Sequence, residues 1–267
     1  MSQKAGLLSL FKQTSRQQKA PDGPQAPQDD FDWSTYTQVY SAQLEEIGQK
    51  RLQRLAPGDY NYSGGKLTKA RAELMDLHPN HRLVYETILQ LKPASVVELG
   101  CGAGDHGHNI KVLYPECQVN GYDLSETQLA LLRKRNSDLD PARFRQMNLT
   151  LPAPQSCQAH DIAYTQAVIM HIQAGNGHMV ALSNVFRLAT KQVLLMENWT
   201  RHDFMNDIIK LHQAGIIGWN KLHFYYRCAP EWNNCPHLMV VSSTELPQYP
   251  VLTDYALLTD PTKQRPR

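Results

Sequence analysis

The stretch VVELGCGAGD, residues Val96–Asp105, decides the fold. Apolar residues lead directly into three glycines, Gly100, Gly102 and Gly104, and an acidic residue, Glu98, stands two positions before the first glycine. Glycine allows the backbone a positive φ and lets a ligand approach the main chain closely. The stretch therefore predicts a buried strand that ends in a ligand-binding loop.

Short apolar runs alternate with helical stretches from residue 95 onward. The strand candidates are SVVELG, QVNGYD, FRQMN, DIAYTQ and QVLLMEN. This alternation predicts a mostly parallel sheet covered by helices on both faces. The last two runs, KLHFYYR and HLMVVSS, are separated only by a turn-rich segment and are predicted to pair antiparallel. In such sheets a ligand binds beyond the carboxyl ends of the strands, which is where the glycines stand.

The residues before the sheet are predicted to form a tail and a cap. Residues 1–30 are rich in glutamine, proline and charge, which predicts a disordered tail. Residues 31–92 are predicted to form a helical cap, residues 93–247 the sheet domain, and residues 248–267 a C-terminal tail. Apolar residues recur at helical spacing in three stretches of the cap: Tyr36, Tyr40, Leu44 and Ile47; then Leu67, Ala70, Leu74 and Leu77; then Val84, Ile88 and Leu91.

A loop between the first two predicted helices carries Tyr60 and Tyr62, followed by the pair Gly64 and Gly65. We interpret the glycine pair as a hinge and the two tyrosines as part of a lid that closes over the ligand and contacts the substrate. Helices that only cover the edge of the sheet are the alternative.

Composition excludes several classes of protein. The 267 residues carry a net charge of +2, so no broad basic face and no nucleic-acid partner are expected. No apolar run is long enough to span a bilayer. The five cysteines are odd in number and widely spread, which disfavours a disulfide framework and favours a reducing, cytoplasmic location. A basic organelle presequence at the N-terminus is a minor alternative.

The glycine loop does not match the two common phosphate-binding patterns. A dinucleotide fingerprint would need glycine at residue 105, which is aspartate, and the loop lacks the Gly-Lys-Ser/Thr of a P-loop. An acid such as Glu98 repels phosphate and suits a cation or an amine. Asp123 ends the second strand, 19 residues after Gly104, where a carboxylate can accept hydrogen bonds from ribose hydroxyls. These features point to S-adenosylmethionine, which carries a sulfonium and an ammonium but no phosphate.

At these residues the chain resembles the class I S-adenosylmethionine-dependent methyltransferases. VVELGCGAG is similar to their first motif and GYDLS to their second, and the resemblance covers about residues 80–245. It implies a Rossmann-like seven-stranded sheet with the last strand inserted antiparallel. Asn148 stands where the family commonly has aspartate near the adenine. The resemblance implies cofactor contacts at Glu98, Gly100, Gly102, Gly104, Asp123, Leu124, Asn148, Leu149, Gln166 and Ala167.

Polar and aromatic side chains follow the fourth and fifth predicted strands. His171 and His202 are candidate general bases, because a neutral hydroxyl acceptor is a poor nucleophile; structural histidines are the alternative. Arg201 suits a carboxylate or phosphate on the acceptor. The remaining substrate candidates in this stretch are Glu197, Asn198 and Trp199. Cys228, Cys235 and His237 do not have the spacing of a common zinc site, so no metal is expected.

The sequence thus predicts a methyltransferase acting on a polar small-molecule or glycan-like acceptor, most simply at oxygen. N-methylation of a protein or another macromolecule, and a non-catalytic scaffold that binds the cofactor, remain open. The tetrapeptide TQAV after the fourth strand lacks the Asn/Asp-Pro-Pro-aromatic pattern of base N-methyltransferases. Asp105 and Glu98 argue against an NAD-dependent dehydrogenase. The acceptor and the oligomeric state do not follow from the sequence.

Overall fold

A computed structural model describes residues 54–229 and 237–260. The predicted N-terminal tail and the first predicted helix lie almost wholly outside these residues. The described part consists of a seven-stranded sheet with helices on both faces and a separate two-stranded hairpin. No helix within it is long and apolar enough to cross a bilayer.

The strands are short and regularly spaced between helices. The strands are β1 (Tyr60–Ser63), β2 (Lys66–Lys69), β3 (Ser95–Leu99), β4 (Gln118–Asp123), β5 (Phe144–Gln146), β6 (His160–Gln166), β7 (Ala189–Met196), β8 (His223–Cys228) and β9 (His237–Ser242). The α-helices are α1 (Pro79–Leu91), α2 (Asp105–Leu113), α3 (Glu126–Arg135), α4 (Gly177–Arg187), α5 (Phe204–Gln213) and α6 (Ala256–Thr259). Two 3₁₀ turns cover Pro141–Arg143 and Ile169–His171.

The order of the strands in the large sheet is β5-β4-β3-β6-β7-β9-β8. The pairs between β5 and β7 are parallel, while β9 runs antiparallel to both β7 and β8. The chain moves outward from β3 through β4 to β5 and then returns to place β6 on the other side of β3. The strand order reverses there, so the ends of β3 and β6 form the crevice in which a ligand binds. The predicted sheet with an inserted antiparallel last strand is confirmed.

Neighbouring residues of a strand pack into two separate cores, one on each face of the sheet. Val96 joins the core that contains Ile88 and Ile110, whereas Val97 joins the core that contains Leu182. Side chains alternate between faces along a strand, so a continuous apolar run is needed when both faces are covered. The apolar start of the opening stretch has this physical origin.

The second predicted helix is wrong: its first residues form a hairpin, and residues 70–78 form turns and bends without a helix. β1 pairs antiparallel with β2, and Ser63 lies opposite Lys66. Gly64 and Gly65 have φ values of +58° and +80° and form the two-residue turn. Two successive positive φ angles are typical of the tight turns that join antiparallel strands. The glycine pair is therefore the turn of a hairpin, and the helical spacing of Leu67 and Leu77 was coincidental.

The helix that precedes the sheet begins and ends as the sequence indicates. His78 accepts a hydrogen bond from the backbone N–H of Asn80, and Pro79 takes the first helical position, where no N–H is needed. Lys92 ends the helix in a left-handed conformation with a φ of +50°. The third predicted helix is confirmed, and the His78-Pro79 pair caps it.

Residues assigned to the C-terminal tail pack along the last strand of the sheet as far as the structure describes them. Leu252 N donates to Phe224 O at 2.8 Å, and Leu252 and Leu258 are buried. Val251 forms an isolated bridge with Tyr225. The segment therefore covers the exposed edge of β8, which would otherwise present unpaired backbone groups.

Four cysteines lie among the described residues. Cys101, Cys117 and Cys157 are free thiols. Cys228, at the end of β8, is disulfide-bonded. The sequence disfavours a framework of several disulfides, and one disulfide-bonded cysteine among the described residues does not make such a framework.

Candidate active site

The glycine loop leaves β3 at the middle of the sheet and leads into α2. Gly100, Gly102 and Gly104 all have positive φ angles, of 84°, 50° and 79°. Gly100 N and Cys101 N both donate to Tyr122 O, at 2.7 and 3.0 Å. A β-carbon at Gly104 would lie 2.6 Å from Leu132 Cγ, so only glycine fits against the neighbouring helix. The loop is therefore folded by contacts within the protein.

Asp123 joins the end of β4 to this loop. Its Oδ2 accepts a hydrogen bond from Gly102 N at 2.7 Å, and its Oδ1 accepts one from Ser125 N at 2.8 Å. Burial raises the pKa of Asp123, and the two backbone N–H groups oppose that shift. Each carboxylate oxygen has further lone-pair capacity. The carboxylate is therefore oriented beside the loop with room to accept a ligand hydroxyl at each oxygen.

Glu98 lies one strand position below the loop and is 1% exposed. Burial raises its pKa to about 8, the phenol of Tyr164 lies beside it and lowers the pKa, and the charge of Asp123 raises it. Glu98 Oε2 is buried and accepts no hydrogen bond from a described residue. A buried carboxylate with an open acceptor site is costly unless a cation or a donor reaches it. The open carboxylate oxygen under this loop therefore fits a positively charged ligand and not a phosphate.

A chain of polar side chains on α1 and α2 flanks the loop, and sequence analysis did not identify three of its members, Tyr85, His106 and Asn109. Asn109 Nδ2 donates to Tyr85 Oη at 3.1 Å, and Tyr85 Oη lies 2.8 Å from His106 Nδ1. The ring of His81 meets His106 edge-on, with centroids 4.5 Å apart. Burial lowers the pKa of His81 to about 2 and that of His106 to about 4. The signal was the stretch HPNHR together with the histidine two residues after Gly104.

The adenine-side candidates follow β4 and β5. Asn148 Oδ1 accepts hydrogen bonds from Thr150 N at 2.9 Å and from Thr150 Oγ1 at 2.8 Å. Its amide oxygen therefore shapes a turn and is not free to face a ligand alone. Leu149 is buried, and Leu124 O accepts a hydrogen bond from Gln146 Nε2 at 2.9 Å. The structure places all three near the ends of their strands, on the same edge as the glycine loop.

The last residue of β6 and the loop after it bring three candidates to the crevice. Gln166 Oε1 is buried and has no hydrogen-bond partner among the described residues. Ala167 has a φ of +54°, an uncommon conformation for a residue other than glycine. His171 follows on the 3₁₀ turn, where burial and the nearby charge of Arg201 lower its pKa. A neutral imidazole at this position can accept a proton or donate a hydrogen bond.

The candidates after β7 have different surroundings. Glu197 is 8% exposed, and its oxygens accept hydrogen bonds from the side chain of Thr165 and from backbone N–H groups after β6. Asn198 Oδ1 caps Thr200 N at 3.1 Å. Trp199 is buried, and its Nε1 donates to His237 O at 3.2 Å. Arg201 is exposed. Of these four substrate candidates, Asn198 and Arg201 are exposed, and the Oδ1 of Asn198 is already bonded to Thr200.

His202 is packed within the protein. Its ring stacks on His178 with centroids 4.2 Å apart and an interplanar angle of 7°. Phe204 meets it edge-on at 5.5 Å, and His202 Nε2 is buried without a hydrogen-bond partner among the described residues. This geometry favours the structural alternative for His202 over a role as general base.

Tyr60 and Tyr62 lie on the hairpin. Tyr60 Oη donates to Met75 O, and Tyr62 lies beside Arg227 and Glu86. Both side chains pack against the core that contains Ile88 and Ile110. No group of three metal-ligating side chains occurs in residues 54–229 or 237–260.

A known family covers the part of the chain that carries these residues. The family model described as a methyltransferase domain matches residues 91–226, just over half of the 267 residues. The matched range contains the glycine loop, Asp123 and the loops after β6 and β7.

Two curated relatives are trans-aconitate 2-methyltransferases. The relative from Paracidovorax citrulli is 32% identical over 108 residues, which are 40% of this chain and 39% of that protein. The relative from Variovorax paradoxus is 38% identical over 79 residues, 30% of this chain and 29% of that protein. The chain thus spans about two fifths or less of the length of these relatives.

A solved structure shares the fold. The TehB-like SAM-dependent methyltransferase from Corynebacterium glutamicum superposes with a TM-score of 0.51 at 15% identity, covering 79% of this chain and 100% of that chain. From the match of the family model, and in agreement with the resemblance of its two motifs, the chain belongs to the methyltransferase-domain family.

Proposed function

We propose that this protein transfers a methyl group from S-adenosylmethionine to an oxygen atom of a small carboxylic acid. The observation that carries the cofactor assignment is Glu98: a buried carboxylate with an open oxygen beneath the glycine loop. An ammonium or sulfonium would draw this group into its ionised form and be attracted by it, whereas a phosphate would oppose that ionisation. Membership of the methyltransferase-domain family supports the same cofactor.

The residues at the crevice fit the parts of this cofactor. Asp123 offers two oriented oxygens for a pair of ribose hydroxyls, and the glycine loop allows close approach of the ligand to the main chain. S-adenosylmethionine supplies an electrophilic methyl group on its sulfonium, so the chain itself needs only to bind, orient and exclude water. Gln166 and Ala167, at the end of β6, flank the place where the sulfonium would lie.

A carboxylate acceptor agrees best with the residues around His171. An ionised carboxylate is already a nucleophile at neutral pH, so its methylation needs no general base. Arg201 offers a guanidinium that binds a carboxylate, and its charge lies near enough to His171 to lower the pKa of that ring. The two curated relatives are named for an acid, trans-aconitate. We therefore assign Arg201 and His171 to binding the acceptor, and His171 to proton removal only if the acceptor is a hydroxyl.

The other acceptor classes have less support. The comparisons lend none to a glycan-like acceptor, and the buried Trp199 does not offer a ring for stacking on a sugar. Methylation at nitrogen and a non-catalytic scaffold predict different outcomes in the experiment below.

The test is methyl transfer from labelled S-adenosylmethionine to trans-aconitate, tricarballylate, a uronic acid and a primary amine, followed by product analysis. A methyl ester releases methanol on mild alkaline hydrolysis, whereas an N-methyl or ether product does not. We expect ester formation with the polycarboxylates and none with the Asp123→Ala variant. Transfer only to the amine would contradict the proposal. Binding of S-adenosylhomocysteine without transfer to any acceptor would favour the scaffold.

A further inference from the structure

The carboxylate of Glu197 is fully engaged although it is buried at the end of β7. Oε1 accepts a hydrogen bond from Thr165 Oγ1 at 2.7 Å, and from Val168 N and Ile169 N at 3.2 and 3.3 Å. Oε2 accepts from Met170 N at 3.0 Å and again from Val168 N at 3.2 Å. Three consecutive backbone N–H groups therefore converge on one side chain from a neighbouring strand.

These donors belong to a segment that could not satisfy them itself. Val168, Ile169 and Met170 start the 3₁₀ turn Ile169–His171, and the first N–H groups of a helical turn have no partner within the turn. Ala167, directly before them, holds a φ of +54°. Such a conformation costs of order 1–3 kcal/mol and persists only when its surroundings fix it. Glu197 provides that fixing contact.

The same segment presses on the glycine loop. A β-carbon added to Gly100 would overlap Val168 Cγ2 and would lie 2.9 Å from Val168 Cγ1. On the other side, Ala167 N donates to Met196 O at 2.9 Å, which ties the segment to the strand that carries Glu197. The position of the loop after β6 relative to the glycine loop therefore depends on the contact between Glu197 and Val168–Met170.

We propose that Glu197 is a positioning residue of the cofactor site, whose carboxylate holds Val168–Met170 against Gly100. The contact sets the width of the crevice between the ends of β3 and β6, and it orients the turn that carries His171. This inference rests on the proposed function for the identity of the ligand. It replaces the expectation from sequence that Glu197 contacts the substrate.

The experiment compares Glu197→Gln with a matched control, Asp161→Asn. Glutamine keeps the size of the side chain but presents an NH₂ group to donors that need an acceptor. Asp161 is also a carboxylate that binds backbone: its Oδ2 accepts from Ala94 N at 2.8 Å and pairs with Lys191 at 3.0 Å. It stands near the start of β6, at the edge of the sheet opposite the crevice.

Two measurements are made on each protein. Hydrogen exchange reports the protection of the amides of residues 168–170, and calorimetry with S-adenosylhomocysteine reports the dissociation constant. We expect exchange at these amides to accelerate at least tenfold in Glu197→Gln and the dissociation constant to rise at least tenfold. Asp161→Asn should remain within twofold of the wild type in both measurements, even where its melting temperature falls.

The outcomes separate this inference from the proposed function. Unchanged protection of residues 168–170 in Glu197→Gln overturns the positioning role, whether or not the ligand binds. Failure of the wild type to bind S-adenosylhomocysteine overturns the proposed cofactor, and the exchange measurement still decides the contact. If Glu197→Gln does not fold, Val168→Ala keeps the backbone bonds to Glu197 and tests the packing of this segment against Gly100. It should weaken binding of S-adenosylhomocysteine at least threefold, and wild-type affinity would contradict the inference.

Discussion

Asp123 Oδ2 accepts a hydrogen bond of 2.7 Å from Gly102 N, 21 residues earlier in the chain. The bond joins the ends of two parallel neighbours, β3 and β4, at the point where the first of them turns into the glycine loop. The loop is thereby shaped by the protein itself before any ligand is bound. Binding then costs less ordering of the chain than it would with a mobile loop.

Replacement of Asp123 by alanine is expected to raise the dissociation constant of S-adenosylhomocysteine at least tenfold, which corresponds to about 1.4 kcal/mol. The change removes the acceptors for the ribose and the hydrogen bond that shapes the loop. Titration calorimetry at pH 7.5 measures the effect. Asp140→Ala is the control, because Asp140 also caps a backbone N–H, that of Ala142 at 3.0 Å, but lies on an exposed turn. Equal affinities of the two variants would contradict the role of Asp123.

Alanine substitutions at Gly100 and Gly58 separate the energetic cost of backbone strain from that of close packing. Both have a φ of +84°, but a β-carbon at Gly58 would meet nothing within 4 Å, whereas one at Gly100 would overlap Val168. We expect Gly58→Ala to lower the free energy of unfolding by about 1–2 kcal/mol, the cost of a left-handed conformation. Gly100→Ala should cost at least about 1 kcal/mol more, because overpacking adds to strain. Urea unfolding at 25 °C measures both, and equal losses would contradict the packing contact.

Glu98 is expected to release a proton when the cofactor binds. Burial raises its pKa to about 8, so the carboxyl group is mainly protonated at pH 7 in the free protein. A cationic ligand favours the ionised form, and affinity should therefore increase as the pH rises from 6 toward 8. Calorimetry at pH 7 in buffers of different ionisation enthalpy counts the protons released. The count should approach one in the wild type and fall toward zero in Glu98→Gln; identical counts would contradict the assignment.

Arg201 is expected to bind the acceptor and therefore to affect KM more than kcat. With trans-aconitate as acceptor, Arg201→Met should raise KM at least tenfold and change kcat less than threefold, because a group that binds ground state and transition state equally affects only KM. Arg133→Met is the control, since Arg133 is ion-paired with Glu126 on the exposed side of α3. A fall in kcat with constant KM in Arg201→Met would instead place Arg201 in the transfer step.

The sequence predicted the parts of the site that depend on the local chain. The glycine loop, Asp123 and the alternation of strands and helices follow from glycine conformations and from runs of apolar residues. The directions in which the side chains after β7 point did not follow from the sequence. Trp199 turns inward because it finds His237 O, 38 residues later, and His202 because it stacks on His178. Such contacts between distant residues leave no periodic signal in the sequence.

The histidine pair beside the glycine loop makes stability depend on pH. Burial lowers the pKa of His106 from its ordinary value to about 4, while Asp105 opposes and His78 adds to the shift. Above pH 6.5 the ring is neutral in both the folded and the unfolded chain. As the pH falls from 6.5 toward 4, only the unfolded chain binds the proton, so the free energy of unfolding decreases.

We expect this loss at His106 to be of order 1–2 kcal/mol between pH 7 and pH 5. His106→Gln retains an acceptor for the hydroxyl of Tyr85 but does not titrate in this range, so its free energy of unfolding should vary less with pH. Urea unfolding at pH 7 and pH 5 gives the comparison. Equal pH dependence in the two proteins would mean that His106 is hydrated well enough to bind a proton in the folded state. His81, whose pKa burial lowers to about 2, would then carry the remaining dependence, and His81→Gln provides the check.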